Sequence, residues 1–198
     1  MPLGDPDNQS LARAVVEAPQ LSRRSFLGFA LGSAFTLGSG STAFAGVLAG
    51  LPERRLRLRN VHTGDGFDGV YWRGGKYQPA ALKRLSWVLR DFRADKVKSF
   101  DPHLFDVLQS LAHRMGSTEP FEVISGYRTS ATNKAKRRYD GEVARNSYHV
   151  RAQAIDIALP GRSVSGIHHV AVKMAAGGVG FYPGSGFVHL DTGPVRTW

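Results

Sequence analysis

Ser147-Tyr-His-Val-Arg-Ala-Gln-Ala-Ile-Asp156 is the stretch on which the reading of this chain turns. It sets an imidazole and a carboxylate seven residues apart, with Ala152 and Ala154 between them. One regular helix cannot bring His149 and Asp156 to a common point, because seven residues advance about 10.5 Å along a helix axis. The segment must bend, with His149 on a loop and Asp156 on the strand that follows. On that strand Gln153, Ile155 and Ile157 share one face, and Ala152, Ala154 and Asp156 share the other. The isoleucines go to the core, and the alanines leave space beside Asp156.

A second stretch, Phe187-Val-His-Leu-Asp191, has the same logic. Phe187, His189 and Asp191 point one way, Val188 and Leu190 the other. If the two strands are neighbours, Asp156 and His189 form a cross-strand pair with Cβ atoms about 5 Å apart. His149 then arrives as a third group. Two His and one Asp with a fourth position open suit a catalytic zinc ion. Spacing alone leaves a second reading beside it, a hydrogen-bonded His and Asp at a strand end.

The rest of the chain supplies a scaffold of mixed type. Arg55-Leu56-Arg57-Leu58-Arg59 alternates strictly and reads as a strand with leucines inward and arginines in solvent. A turn at Val61 to Gly66 leads to a second strand, Phe67 to Trp72, and Asp65-Gly66 suits a hairpin. From Pro79 the period becomes helical, with Leu82, Leu85, Val88, Leu89 and Phe92 on one face. Asp101-Pro102 starts another helix, Asp as N-cap and Pro at the first helical position. Phe121 to Ile124 is a short strand running into Ser125-Gly126-Tyr127-Arg128, where Gly126 permits a sharp turn that aims Arg128 off the strand end. A basic helical run with Lys134, Lys136, Arg137 and Arg138 follows. Past Asp156 come a helix from about Ser163 to Ala176, a strand from Val179 to Tyr182, a turn at Pro183 to Gly186 and the last strand. The short 182–187 connection predicts an antiparallel pair.

Composition limits what such a chain does. The 198 residues are enough for one domain with a core, and 42% hydrophobic content excludes a disordered protein. There is no cysteine, so a metal must be held by His and carboxylate. The net charge of +10 favours polyanionic surroundings. Residues 1–21 read as a polar lead-in. Arg23-Arg24-Ser25-Phe26-Leu27, an apolar stretch to about Phe44 and Ala43-Phe44-Ala45 then follow in the order of a twin-arginine export signal. The stretch is too short and polar for a confident membrane span. The expected organisation is a signal over 1–45, cut after Ala45 or kept as an anchor, and a mature domain over 46–198 that retains the full +10. Export by this route places the protein in the periplasm and argues against nucleic acid as a partner.

Ser147-x-His149-x-x-Ala152-x-Ala154-x-Asp156 resembles the S-x-H-x-x-G-x-A-x-D signature of the peptidase M15 group. Ser125-Gly126-Tyr127-Arg128 is similar to that group's S-G-Y-R motif. Gly177-Gly-Val-Gly-Phe-Tyr-Pro183 and Phe187-Val-His-Leu-Asp-Thr-Gly193 resemble the C-terminal signature of one branch, the DUF882 or murein endopeptidase K-like proteins. Asn60-Val-His-Thr-Gly64 and the closing Arg196-Thr197-Trp198 also match that branch. The resemblance implies an α+β fold of the hedgehog/D-Ala-D-Ala-peptidase type, a single domain with a small, mainly antiparallel sheet and flanking helices. It implies one Zn²⁺ per chain held by His149, Asp156 and His189, with Arg128 binding a substrate carboxylate or steadying negative charge in the reaction. The implied activity is metal-assisted hydrolysis of peptide cross-links in peptidoglycan, between two meso-diaminopimelate residues, by a monomer that meets the peptide stems. A non-catalytic wall-binding module and a D,D- or L,D-carboxypeptidase on the same scaffold are the alternatives.

Two departures matter. Ala152 stands where the group has Gly, which is tolerable if the backbone there does not need positive φ. The acidic or His residue that many relatives carry just before the last His is replaced by Gly186 or Phe187, so the motif assigns no general base. Asp191, sharing a strand face with His189, is the candidate, and a structural role for it is the other reading. His62 is a weaker candidate for a substrate contact. His103, His113, His168 and His169 read as surface or packing residues.

Overall fold

The computed structural model describes residues 48–141 and 143–198. The expected export signal and its cleavage site lie outside the described residues. Among the described residues, no helix is long and apolar enough to cross a membrane.

Among the described residues, eight strands form one sheet: β1 Glu53–Asn60, β2 Gly66–Arg73, β3 Lys76–Tyr77, β4 Phe121–Ser125, β5 Ala154–Ala158, β6 Gly178–Tyr182, β7 Phe187–Asp191 and β8 Arg196–Thr197. Their order across the sheet is β3-β2-β1-β4-β5-β7-β6-β8. The β1–β4 and β6–β8 pairs are parallel and the others antiparallel. The fold is thus α+β with a mainly antiparallel sheet, as expected, though eight strands make the sheet larger than expected. The two-residue strands β3 and β8 carry no periodicity and were not foreseen.

Among the described residues, four α-helices accompany the sheet: α1 Pro79–Val88, α2 Pro102–Met115, α3 Ser130–Lys136 and α4 Val164–Met174. Asp101 caps α2 by accepting from the His103 amide, and Pro102 sits where no N–H is needed. Alternation puts Leu56 and Leu58 in the core while Arg55, Arg57 and Arg59 stay exposed. Those leucines join Val123, Ile155, Ile157, Val188 and Leu190, and α1, α2 and α4 add Leu85, Leu104, Leu108 and Ile167 to the same core. Each fully buried side chain of this size stabilises by about 1.5–3 kcal/mol. The same parity turns Asp156 and His189 to the other side of the central strands β5 and β7.

Candidate metal centre and cleft

His149 is delivered by a short 3-10 turn, Tyr148–Arg151, ahead of β5. Ser147 caps the turn by accepting from the His149 amide at 3.3 Å. The turn closes at Ala152, which has φ +57°. Ala152 therefore does occupy the left-handed conformation that favours Gly, and it is part of the turn, not of the β5 face on which the sequence reading put it. Strand β5 begins at Ala154. There Asp156 pairs with His189, as parity predicted, and Ala154 sits opposite Asp191.

The three side chains meet. His149 Nε2 lies 3.2 Å from Asp156 Oδ1 and 3.2 Å from His189 Nδ1. His189 Nδ1 lies 2.8 Å from Asp156 Oδ1. The outer nitrogens are committed elsewhere. His149 Nδ1–H donates to the Gly126 carbonyl at 2.7 Å, and His189 Nε2–H donates to Asp191 Oδ2 at 3.0 Å. Assigned this way, the two inward nitrogens present lone pairs to each other and to a carboxylate oxygen. Such a cluster is repulsive unless a cation or proton lies between the three atoms. A tetrahedral ion with ligands at about 2.0–2.2 Å would set neighbouring ligand atoms about 3.3–3.6 Å apart. The observed edges are only slightly tighter, so the donor set fits a zinc ion in number, type and spacing.

Electrostatics separates the two rings. Burial holds the His149 imidazole below its ordinary pKa, against the pull of Asp156. For His189, burial is outweighed by hydrogen bonds to Asp156 and Asp191, and its pKa rises. Burial would raise the Asp156 carboxyl too, but His149 and His189 outweigh it and keep the group ionised.

Gly126 links this site to α1. A Cβ there would run into the Leu89 carbonyl oxygen, and the next residue, Tyr127, donates its amide to that same oxygen at 2.7 Å. Close approach, more than freedom to turn, is what Gly126 provides. Arg128 follows, only 8% exposed, donating from Nη2 to Ser147 Oγ at 3.2 Å. Its Nε has no partner. Burial lowers its pKa, against Asp156. A buried, underpaired guanidinium beside the His-Asp-His set is a ready site for negative charge.

Asp191 is 1% exposed and both of its oxygens are engaged. Oδ1 accepts from the amides of Gly178 (3.2 Å) and Gly193 (2.8 Å) and from Arg196 (3.1 Å), while Oδ2 accepts from His189 and Arg196 (2.7 Å). Burial alone would raise its carboxyl, but the bonds from His189, Arg196 and Gly193 hold it well below the usual carboxylate range. Asp191 stands behind His189 and does not line the cleft. The geometry suits the orientation of that ring, and it offers no free oxygen for a proton from water.

A cleft of about 530 Å³ opens over the three converging atoms, lined among others by Arg128, Tyr148, Tyr182, Phe187, Arg196 and Trp198. Among the described residues lining it, the only carboxylates are Asp156 and Asp140, the latter paired with Lys136 at 3.1 Å. Sequence reasoning named Arg196, Trp198, Tyr182 and Phe187 only within motifs and gave none of the aromatic walls, nor Arg196, a role in the site. The signal available for them was the glycines in β6 and after β7, since a Cβ at Gly180 would meet the Trp198 ring and one at Gly193 the Tyr148 ring. His62 does not line the cleft; it stacks on Phe92 and bonds to the Ile124 carbonyl. His168 packs on Phe181.

The family model described as Peptidoglycan L,D-endopeptidase MepK matches residues 49–198. The Peptidoglycan L,D-endopeptidase MepK of Escherichia coli K12 is 43% identical over 171 residues, covering 86% of this chain and 92% of that protein. The Probable peptidoglycan L,D-endopeptidase MepK of Haemophilus influenzae is 40% identical over 146 residues, covering 73% of this chain and 78% of that one. With its sheet, its His-Asp-His centre and these matches together, the chain belongs to the Peptidase_M15_2 family.

Proposed function

We propose that this protein is a zinc-dependent murein endopeptidase that hydrolyses peptide cross-links of peptidoglycan between two meso-diaminopimelate residues, in growth or remodelling of the cell wall. The observation that carries the reading is the convergence of two imidazole nitrogens and a carboxylate oxygen, 2.8–3.2 Å apart, at the base of an open cleft. The names of its relatives support the bond class. The protein is exported by the twin-arginine route, residues 1–45 serving as the signal, and it acts in the periplasm as a monomer.

His149, Asp156 and His189 would hold one Zn²⁺. Bound there, zinc supplies Lewis acidity toward the scissile carbonyl and lowers the pKa of water. The chain's own residues do the rest. Gly126 and Asp191 fix the outward N–H of each imidazole, so both rings present a lone pair inward. Arg128 keeps a desolvated positive charge beside the site, for a stem carboxylate or for the negative charge that builds on the carbonyl oxygen. Asp191 acts through His189 as a positioning residue. The aromatic walls exclude water from the aliphatic parts of the stem peptides.

The test is incubation of the full-length protein with purified peptidoglycan and analysis of the released muropeptides. Cross-linked dimers joined through meso-diaminopimelate should fall to monomers. The reaction should stop with a chelator, return with zinc and be absent in His149→Ala. Stems shortened from their ends with cross-links intact would make the protein a carboxypeptidase. Binding without release would make it a wall-binding module.

A further inference from the structure

Arg196 lines the cleft, yet both of its terminal nitrogens donate to groups behind His189. Nη2 donates to Asp191 Oδ2 at 2.7 Å, and Nη1 donates to Asp191 Oδ1 at 3.1 Å and to the Pro194 carbonyl at 3.0 Å. Its guanidinium carbon lies 5.0 Å from the centre of the Tyr148 ring and 4.9 Å from that of Trp198. A two-pronged bond to both oxygens fixes the plane of a carboxylate. The plane of Asp191 in turn fixes the direction of Oδ2, which receives the His189 Nε2–H.

Local backbone is built around this fork. Strand β8 exists only as Arg196–Thr197, and its parallel pairing places Arg196 opposite Gly178. A Cβ at Gly178 would strike the Arg196 fork and lie 2.6 and 2.7 Å from the Asp191 oxygens. A Cβ at Gly193 would strike Tyr148, the ring on which Arg196 rests. Two glycines and a two-residue strand thus make room for one arginine behind one aspartate.

We propose that Arg196 is a positioning residue for the metal centre, acting through Asp191 to hold the His189 ring with its inward nitrogen aimed at the ion. The inference rests on the reading of His149, Asp156 and His189 as a zinc site. Of the two arginines lining the cleft, Arg128 keeps a buried Nε without a partner, whereas both terminal nitrogens of Arg196 bond to Asp191, so the substrate-cation role suits Arg128 and the supporting role Arg196.

Zinc affinity of the full-length protein, measured by competition with a chelating dye, tests this without any substrate. Removing a partner of a ligating His costs roughly 10–100-fold in metal affinity, and Arg196→Gln, one bond further out, should cost about 10-fold. The ring N–H of His189, followed by NMR with nitrogen-labelled histidine, should exchange faster with solvent in this variant. Arg196→Lys, which keeps the charge on the same aromatic faces, should recover part of the affinity. Should Arg196→Gln fail to fold, Arg196→Lys carries the test, with an affinity below that of the wild type expected. Unchanged zinc affinity with a raised KM would overturn the proposal and make Arg196 a substrate contact. Unchanged affinity with only a lower melting temperature would overturn it in favour of packing. Failure of the wild-type protein to bind zinc would instead sink the metal reading itself.

Discussion

Gly180 pairs with His189 across β6 and β7, and the Trp198 indole lies on it. A methyl added by Gly180→Ala would sit 2.8–2.9 Å from three atoms of that indole. Carbon atoms in good contact are about 3.5–4.0 Å apart, so ring or strand must give by about 0.7–1.2 Å. The ring cannot swing freely. Its Nε1–H donates to the Tyr182 hydroxyl at 2.8 Å, Arg196 stacks on it, and its backbone bonds to Val179 and Phe181. The His189 ring is its neighbour, with centroids 5.3 Å apart. Whichever part moves, the contact between Trp198 and His189 changes. Overpacking of this kind costs about 1–3 kcal/mol, and a displacement near 1 Å at a reacting site costs up to about 100-fold in rate.

The assay pairs denaturant unfolding with the rate of muropeptide dimer cleavage. Gly180→Ala should lose about 1–3 kcal/mol of stability and about 10–100-fold in kcat/KM. Gly184→Ala is the control, because a Cβ there has nothing within 4 Å, and it should stay within about 0.5 kcal/mol of the wild type. Wild-type stability and rate in Gly180→Ala would mean that Trp198 is not held against the strand. Lost stability at an unchanged kcat/KM would mean that Trp198 packs the cleft wall without bearing on the reaction.

On the proposed metal reading His149→Ala removes one of three ligands, so the stabilisation that added zinc would give, about 2.7 kcal/mol at a hundredfold excess over Kd, should vanish from its melting curves. Ala152→Gly should be close to neutral in denaturant unfolding: relief of the left-handed strain, about 1–2 kcal/mol, is offset by about 0.4–1 kcal/mol of unfolded-chain entropy and about 0.8 kcal/mol for the buried methyl, and a loss above about 2 kcal/mol would contradict this. Asp91 is buried and accepts from the Thr129 amide at 2.8 Å and from the Arg93 and Ala94 amides. Burial would raise its carboxyl, but bonds from Thr132, Thr129 and Ala94 outweigh it and the pKa falls. Its contribution is therefore complete above the unfolded carboxyl value of about 3.9 and is lost as pH falls through the lower folded value. Asp91→Asn should accordingly lower stability at neutral pH and flatten the acid limb of the stability curve, whereas an unchanged limb would remove Asp91 from the account.

Parity made the centre of this molecule legible. Alternation along 153–157 and 187–191 is enough to put Asp156 and His189 on one side and four aliphatic residues on the other, and the register then pairs them. Leu56 and Leu58 were readable for the same reason. Strands β3 and β8 were not, because two residues contain no period. Ala152 was misplaced because the αL conformation leaves no mark on a residue with a methyl, whereas Gly in its place would have announced a turn.

Asp191 shows where pattern reading stops. Alternation places it on the same face as His189, and a carboxylate next to a ligating imidazole can serve either as a base or as the partner that fixes the ring. The choice depends on what else reaches its two oxygens. Gly178, Gly193 and Arg196 do so from three places in the sequence, and each is brought in by a feature without periodicity: a glycine at a strand start, a glycine in a turn, and a two-residue strand. A residue saturated in this way holds its proton affinity low and its geometry constant, properties that a partner of His189 needs and that a base should not have. The positioning role proposed for Asp191 therefore rests on the ring of donors behind it, and the glycines that admit those donors are its nearest trace in the sequence.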